Sequence, residues 1–538
     1  MKAIRVALCV LVLRFAGAAK ILGVFSIPSI SHQLVYRSLM KELHSRGHHI
    51  TVLTPDPLRD PSLQNYTEID LSAAYSVWQD KFNTLTENRD KGRYLIFTSL
   101  QLAQMGIDLC EVELNFPNVR NFFQENNTFD LVMTEWILSP CFHAIGHKYE
   151  VPVIGISSVP PAIIVHHSVG NPAHPAYAAD VLLGYTDHST FIQRVHATIH
   201  YILLLFAYRF WILPAHDAVV RRHFNNNAIP YIEDVVNNVS LILTCSHFSV
   251  QSSRPNMPAV VDIGGMHLRL PQPLPEVLNN IVAFQDLKNF LDGASQGVIY
   301  FSLGTNVRSD KMSVEKRQIF LDAFSELQDF RILWKWELDE LPGQPCNVKV
   351  AKWLPQEDIL RHPKMNVFIY QGGMQSTEEA IRAQVPVIGI PFFADQDVNV
   401  KKMVELGVGI YVEYEDITKE IILDAIRKIL YNPSYKENMK KISKIARDQT
   451  KRSLDRAVWW TEYVIRHKGA HHLRSAALDI KWYQYLLLDV IAFISIVFIF
   501  MSWLILLITR FIVRTIKSRS SLRSKKTDFN LHEPTQVQ

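Results

Sequence analysis

Cysteine is scarce. Five are spread over 538 residues (Cys9, Cys110, Cys141, Cys245 and Cys346), and none forms a CxxC pair. That spacing argues against a zinc site or a disulfide-dense scaffold and leaves the pairing of individual thiols open. Charge of one sign is also in short supply. The net charge is only +4, and much of that excess falls in the tail after Thr509, so the body is near neutral. A basic face interleaved with aromatics, the mark of a nucleic-acid binder, is not indicated. What remains is 48% hydrophobic and 20% charged, a globular composition with added membrane segments. The chain is too long for one ordinary core, which implies two domains plus accessory segments.

The two ends set the expected topology. Lys2 and Arg5 precede the apolar run Val6 to Leu13, and Ala16-Gly17-Ala18 follows. This is the order of a secretory signal and its cleavage site, although Arg14 interrupts it. Near the other end, Val490 to Thr509 carries no charge and is long enough to cross a hydrocarbon core of about 30 Å. Trp482, Tyr483 and Tyr485 flank its leading side, and Arg510, Arg514, Lys517 and Arg519 follow it. Aromatic anchors and a one-sided basic flank predict a single-pass type I protein with a lumenal body and a cytoplasmic tail. Sequons at Asn65, Asn126 and Asn238 agree with glycosylation of that body. A further apolar stretch, Ile199 to Leu213, is short for a span and contains His200 and Arg209. It reads as a helix lining an apolar pocket, resting on a membrane surface, or lying in an ordinary core.

Between the ends, the patterning is α/β. Ile21 to Phe25 is a strand, Gln33 to Arg46 a helix closed by Gly47, and Ile50 to Leu53 the next strand. Such a βαβ unit implies a parallel sheet, to which Leu131 to Met133 and Val153 to Ile156 are added. The second half repeats the pattern with strands Val298 to Phe301, Ile332 to Trp334, Val367 to Tyr370 and Val387 to Ile390, and with helices Ser313 to Leu327, Ser376 to Arg382 and Val398 to Leu406. Pro271, Pro273 and Pro275 suggest a linker. The expected layout is a signal peptide at 1–18, a first Rossmann-like domain at 19–275 and a second at 276–465. A membrane-proximal linker at 466–489, a transmembrane helix at 490–509 and a basic tail at 510–538 complete it.

The informative stretch runs from Trp353-Leu354-Pro355-Gln356 to Asp395-Gln396. Gly372-Gly373 lies between a strand and a helix, where backbone N–H groups and the helix dipole suit an anion such as phosphate. Trp353 offers a flat face on which a base could stack. In residue type and spacing, this stretch resembles the signature of the UDP-glycosyltransferase (UDP-glucuronosyltransferase) family. Phe301-Ser302-Leu303-Gly304-Thr305 and the unit Ile21 to Asp56 resemble further family segments, and the two ends resemble its membrane-bound animal branch, most of all an arthropod member. The resemblance implies the GT-B fold, two facing Rossmann-like domains with a cleft between.

It also implies roles. Trp353 would stack on uracil, Gln356 would hydrogen-bond the nucleoside and Glu379 would accept from the ribose hydroxyls. Gly372, Gly373, Ser376 and Thr305 would surround the diphosphate, and Asp395 and Gln396 would hold the sugar. The position before the Gly-Gly pair is Gln371, where the family normally has His. An amide can donate there but cannot become cationic. His32, in Ser31-His32-Gln33, matches the catalytic base, and imidazole titrates near ~6.5, suited to proton transfer at neutral pH. Glu135 matches the acid that orients it, with Asp130 as the alternative. The reaction implied is an inverting transfer of a hexose, glucose before glucuronic acid, from a UDP-sugar to a small lipophilic acceptor, as in detoxification or lipophile conjugation at the endoplasmic reticulum membrane. No cofactor or metal is expected. Asp395-Gln396-Asp397 has the spacing of a cation-binding acid pair, but its place in the signature assigns it to the sugar. Gln371 keeps a second reading open, a catalytically weak UDP-sugar or lipophile-binding membrane protein. Homo- or hetero-oligomerisation is left open.

Overall fold

Seven short strands assemble into one sheet: β1 (Lys20–Val24), β2 (His49–Thr54), β3 (Tyr66–Asp70), β4 (Leu131–Glu135), β5 (Val153–Ser157), β6 (Leu241–Thr244) and β7 (Val260–Asp262). In the computed structural model, which describes residues 17–87, 95–186, 188–224, 228–269 and 281–529, they lie in the order β3-β2-β1-β4-β5-β6-β7 and pair in parallel throughout. A parallel sheet has helices on both faces, which is why its central strands read as unbroken apolar runs. β4 and β5 are buried at every position.

Six strands form a second sheet: β8 (Val298–Ser302), β9 (Arg331–Lys335), β10 (Val348–Ala351), β11 (Met365–Tyr370), β12 (Val387–Gly389) and β13 (Gly409–Tyr411). Their order is β10-β9-β8-β11-β12-β13, again all parallel. The order reverses between β1 and β4 in the first sheet and between β8 and β11 in the second. At such switch points the carboxyl ends of the strands open a crevice. The fold is GT-B: two Rossmann-like halves, each presenting its switch point to the other.

The expected elements fall in place with small shifts. The first helix runs Ile30–Ser45, so His32 lies in its opening turn and not in the preceding loop. Helices Met374–Ala383 and Gln396–Glu405 each begin two residues early. The second half does not end cleanly near 465. Its last helix, Ser453–His467, buries Ala457, Val458 and Val464 in the core that also holds Val35, Leu39 and Met133 of the first half. The expected signal peptide, apart from Gly17 and Ala18, and the Pro271–Pro275 linker lie outside the described residues.

The stretch around Ile199 to Leu213 is longer than the sequence suggests. Thr190 caps it reciprocally with Gln193, and helix continues to Phe224 through a π turn at Tyr208–Ile212 just before Pro214. A π turn there absorbs the backbone donor that proline lacks.

The residues after Arg474 form a separate compact unit. It contains helix Leu488–Phe529, whose apolar portion is long enough to cross a membrane.

Candidate active site

The elements at the two switch points converge on one cavity of about 580 Å³. From the first half, β4 ends at Glu135, 3% exposed. Its carboxylate is surrounded by donors: Oε1 lies 2.8 Å from His32 Nδ1 and accepts from the Tyr36 hydroxyl at 2.8 Å, while Oε2 accepts from the Ile27 amide at 3.0 Å. A carboxylate can only accept, so Nδ1 of His32 carries the hydrogen and Nε2 keeps its lone pair. Burial and the adjacent Glu135 carboxylate push the Tyr36 phenol well above its ordinary range, so it stays a donor. His32 lines the cavity, with Glu135 behind it.

From the second half, Trp353 stands 57% exposed at the cavity wall, an unusual position for an indole unless something covers it. Gln356 Nε2 donates to both Ser376 Oγ and Glu379 Oε2 at 2.8 Å, and its Oε1 accepts from the Tyr300 hydroxyl at 3.2 Å. Helix Met374–Ala383 starts at Gly373 without a side-chain cap, leaving its first amides free for a ligand. Gln371 lies beside Gly304, where a Cβ would come within 2.2 Å of its Nε2. Gly304 therefore serves close approach as well as its positive φ of 84°. Gln371 Oε1 and Thr305 Oγ1 are both buried without a hydrogen-bond partner. Buried polar atoms are normally satisfied, so these two mark where a polar ligand fits. Asp395 hydrogen-bonds Asn399 Nδ2 at 2.7 Å. Burial raises its carboxyl above the usual range, although Asn399 and the nearby His32 oppose the shift.

Matching the chain to known families decides its identity. The family model described as UDP-glucoronosyl and UDP-glucosyl transferase covers residues 20–521. The chain belongs to this family. It is 35% identical over 499 residues to UDP-glycosyltransferase UGT5 of Dactylopius coccus, covering 91% of each chain. UDP-glucosyltransferase 2 of the same insect is 37% identical over 489 residues, covering 90% of this chain and 91% of the relative. A human 2-hydroxyacylsphingosine 1-beta-galactosyltransferase is 30% identical over 538 residues, covering 96% and 93%. Among solved structures, glycosyltransferase VinC in complex with dTDP superposes with a TM-score of 0.54 at 16% identity, over 83% of this chain and all of that one. The protein is thus a UDP-glycosyltransferase that transfers a sugar from a UDP-sugar.

The transferase brings most of the anticipated residues to the cavity. His32, Thr305, Trp353, Gln356, Gln371, Gly373, Ser376, Glu379, Asp395 and Gln396 all line it. Gly372 is not among the lining residues. Its positive φ of 92° and lack of a Cβ admit Val400 and the Gln396 carbonyl, and its own carbonyl accepts from Asn399. Its smallness serves helix packing. Gln396 lines the cavity, but its Oε1 accepts from the amides of Phe392 and Phe393. Asp130 is at the opposite end of β4, accepting from the Lys20 amide at 2.8 Å, and is removed as the partner of His32. Asp397 pairs with Lys401 at 2.6 Å and accepts from Tyr411 at 2.8 Å. The acid–x–acid pattern therefore does not present two carboxylates to the cavity.

Two contributors escaped the sequence reading. Tyr36 is one helical turn beyond His32, and that i,i+4 spacing was the available signal. Lys335 ends β9 on the cavity wall, paired with Glu337 at 2.6 Å; an isolated lysine after an apolar strand carries no comparable signal.

Proposed function

We propose that this transferase moves a hexose, glucose in preference to glucuronic acid, from a UDP-sugar to a hydroxyl of a small lipophilic acceptor with inversion at the anomeric carbon and without a metal. The observation that carries the reading is the His32–Glu135 pair, at 2.8 Å, facing the same cavity as Trp353, Gln356 and Glu379. A base oriented by a carboxylate, opposite a nucleotide-shaped wall, is what a single displacement requires. His32 Nε2 takes the acceptor proton as the oxygen attacks, and the imidazolium is stabilised by Glu135. UDP departs from the other side of the sugar, its diphosphate met by the amides at the start of Met374–Ala383 and by Thr305 and Gln371. Asp395 is placed for a sugar hydroxyl. The geometry of Asp397, turned to Lys401 and Tyr411, supports a mechanism that needs no cation.

The acceptor end of the cavity is walled by Ile27, Trp78, Phe82, Leu138, Leu204 and Phe393, which suits a lipophilic body with a single reacting hydroxyl. The preference for glucose follows the relative named UDP-glucosyltransferase 2. The complete dyad counts against a binding-only protein. Incubating the full-length membrane enzyme with UDP-glucose or UDP-glucuronic acid and a simple phenol, with and without a chelator, tests the reading. A β-linked glucoside formed at an unchanged rate with chelator is expected. An α-linked product, or a rate abolished by chelator, would overturn it.

The same reading places the body in the lumen of the endoplasmic reticulum on a type I anchor. A disulfide joins Cys110 to Cys141, and such bonds persist in oxidising compartments. The sequon residues Asn65, Asn126 and Asn238 are all exposed. Helix Phe191–Ala207 lines the cavity with Leu204 while its outward side exposes Ile192, Ile199, Ile202 and Phe206, an apolar stripe suited to a lipid surface.

A further inference from the structure

His267 has no part in the chemistry described so far. It follows β7 in the turn Gly264 to His267, and so belongs to the first half of the chain, yet it is buried against the signature helix of the second. Its Nδ1 is 3.5 Å from Glu378 Oε2 and its Nε2 is 3.5 Å from Glu379 Oε1. With the ring protonated these are ion pairs; among the described residues neither nitrogen nor either Glu378 oxygen has a hydrogen-bond partner. Glu379 and His267 line the cavity, while Glu378 faces the Gly264–Gly265 turn on the other side. Burial raises the Glu378 carboxyl to about 7 and the adjacent His267 opposes that shift, so a cation between the two acids favours keeping both charged.

We propose that His267 is a positioning residue for nucleotide recognition, its imidazole bridging Glu378 and Glu379 so that Glu379 is aimed at the ribose hydroxyls of the UDP-sugar. This rests on the assignment of Glu379 to the ribose made above. Glu379 Oε2 is already fixed by Gln356; His267 fixes the other oxygen, and the two together set the plane of the carboxylate. Burial opposes a charge on His267, but Glu379 and Glu378 outweigh it and raise its pKa above the ordinary imidazole value. Glu357, held by Arg269 and Arg361, faces the same imidazole from the neighbouring helix, and Cys245 faces Glu378 from the end of β6. Because the bridge comes from the first half, the ribose contact is complete only when the halves are together.

The test compares dissociation constants for UDP and 2′-deoxy-UDP on the full-length detergent-solubilised enzyme. His267→Gln should weaken UDP about tenfold and bring the UDP to deoxy-UDP ratio close to one, with kcat at saturating donor changed by less than about threefold. His267→Lys, which restores a cation, should recover part of the discrimination. In the unaltered enzyme the ratio, below one while the bridge is protonated, should rise toward one as pH rises above the ordinary imidazole range, because the bridging proton is lost, and His267→Gln should show no such rise. The wild-type pH series stands even if the variants fold poorly. Full discrimination in His267→Gln, or a pH-independent ratio in wild type, while Trp353→Ala loses UDP, would overturn the bridge and leave the site intact. Unchanged UDP binding in both variants would instead overturn the nucleotide assignment itself.

Discussion

Replacing Glu135 by Gln isolates what the buried carboxylate does for His32. The side chain keeps its size, so packing is undisturbed, but one oxygen becomes a donor. In the wild type, Oε1 receives both His32 Nδ1 and the Tyr36 hydroxyl, and Oε2 receives the Ile27 amide. No orientation of an amide reproduces this. If the NH2 takes the Oε2 place, it meets the Ile27 N–H, and a buried donor loses its partner at a cost of about 1–3 kcal/mol. If it takes the Oε1 place, His32 Nδ1 must become the acceptor, the ring changes tautomer and Nε2 carries a hydrogen. The base is then gone. Even in the first orientation, the imidazolium formed in the transition state has lost its counter-charge. The equivalent acid-to-amide change in a Ser-His-Asp triad lowers kcat about 10⁴-fold. Here a loss of about 10³-fold is expected, corresponding to about 4 kcal/mol of barrier. Initial rates of glucosyl transfer to a phenol, over a range of pH, measure it, and UDP affinity on the same preparation should be unchanged. A loss below about fivefold with an unaltered pH profile and normal UDP binding would refute the orienting role.

Other consequences can be measured on the same enzyme. Trp353→Ala should raise the UDP dissociation constant by about tenfold or more, since a stacked base is worth about 1–3 kcal/mol; titration with UDP reads it directly. Gln371→His should tighten UDP-sugar binding severalfold by giving the diphosphate a charge-assisted donor, and an unchanged constant would show that the position does not contact phosphate. Glu113 is fully buried without a partner, and burial raises its carboxyl well above the ordinary value. The folded state thus holds its proton more tightly than the unfolded one, and stability present at acid pH is lost at up to about 1.4 kcal/mol per unit as pH rises through the interval between the two values. Glu113→Met removes that slope, so its melting temperature should gain on wild type as pH rises above the ordinary carboxylate range; a constant difference would contradict this. Glycosidase treatment of enzyme from a secretory host should increase its gel mobility, with Asn65→Gln, Asn126→Gln and Asn238→Gln each removing one step.

The wall proposed for the nucleotide was legible because it is local. Trp353 to Gln396 lies within one run of strand, turn and helix, and each side chain's direction follows from its element. His32 and Glu135 were legible only as a pair of family positions, since nothing in their local patterning brings residues 103 apart to 2.8 Å. The acceptor wall was not legible. Trp78, Phe82 and Leu102 come from helices Ala74–Glu87 and Leu95–Leu114, where apolar residues serve the cavity and the core alike, and periodicity cannot separate the two. The Cys110–Cys141 bond was hidden for the same reason: its halves meet only once β4 is placed. Gly372 reads the same from sequence whether a phosphate or a valine approaches it, and the side chain found against it is that of Val400.

The same distinction explains how the two halves act as one enzyme. Each switch point alone holds only part of the proposed machinery: His32 and Glu135 in one, the wall of Trp353, Gln356 and Glu379 in the other. Besides the ion pairs of Arg269 with Glu357 and Asp358, lighter contacts join them around the cleft. Gln375 Nε2 donates to the Ser158 carbonyl at 2.5 Å and Lys401 to the Gly184 carbonyl at 3.0 Å. Phe82 meets Phe393 edge-on at 4.6 Å over the acceptor end. These are polar or small contacts of the kind that can be exchanged for water at modest cost. Helix Ser453–His467 is different, because it buries apolar side chains in the first half's core and cannot leave without exposing them. The chain's far end therefore holds the halves together while the cleft contacts are free to break and re-form.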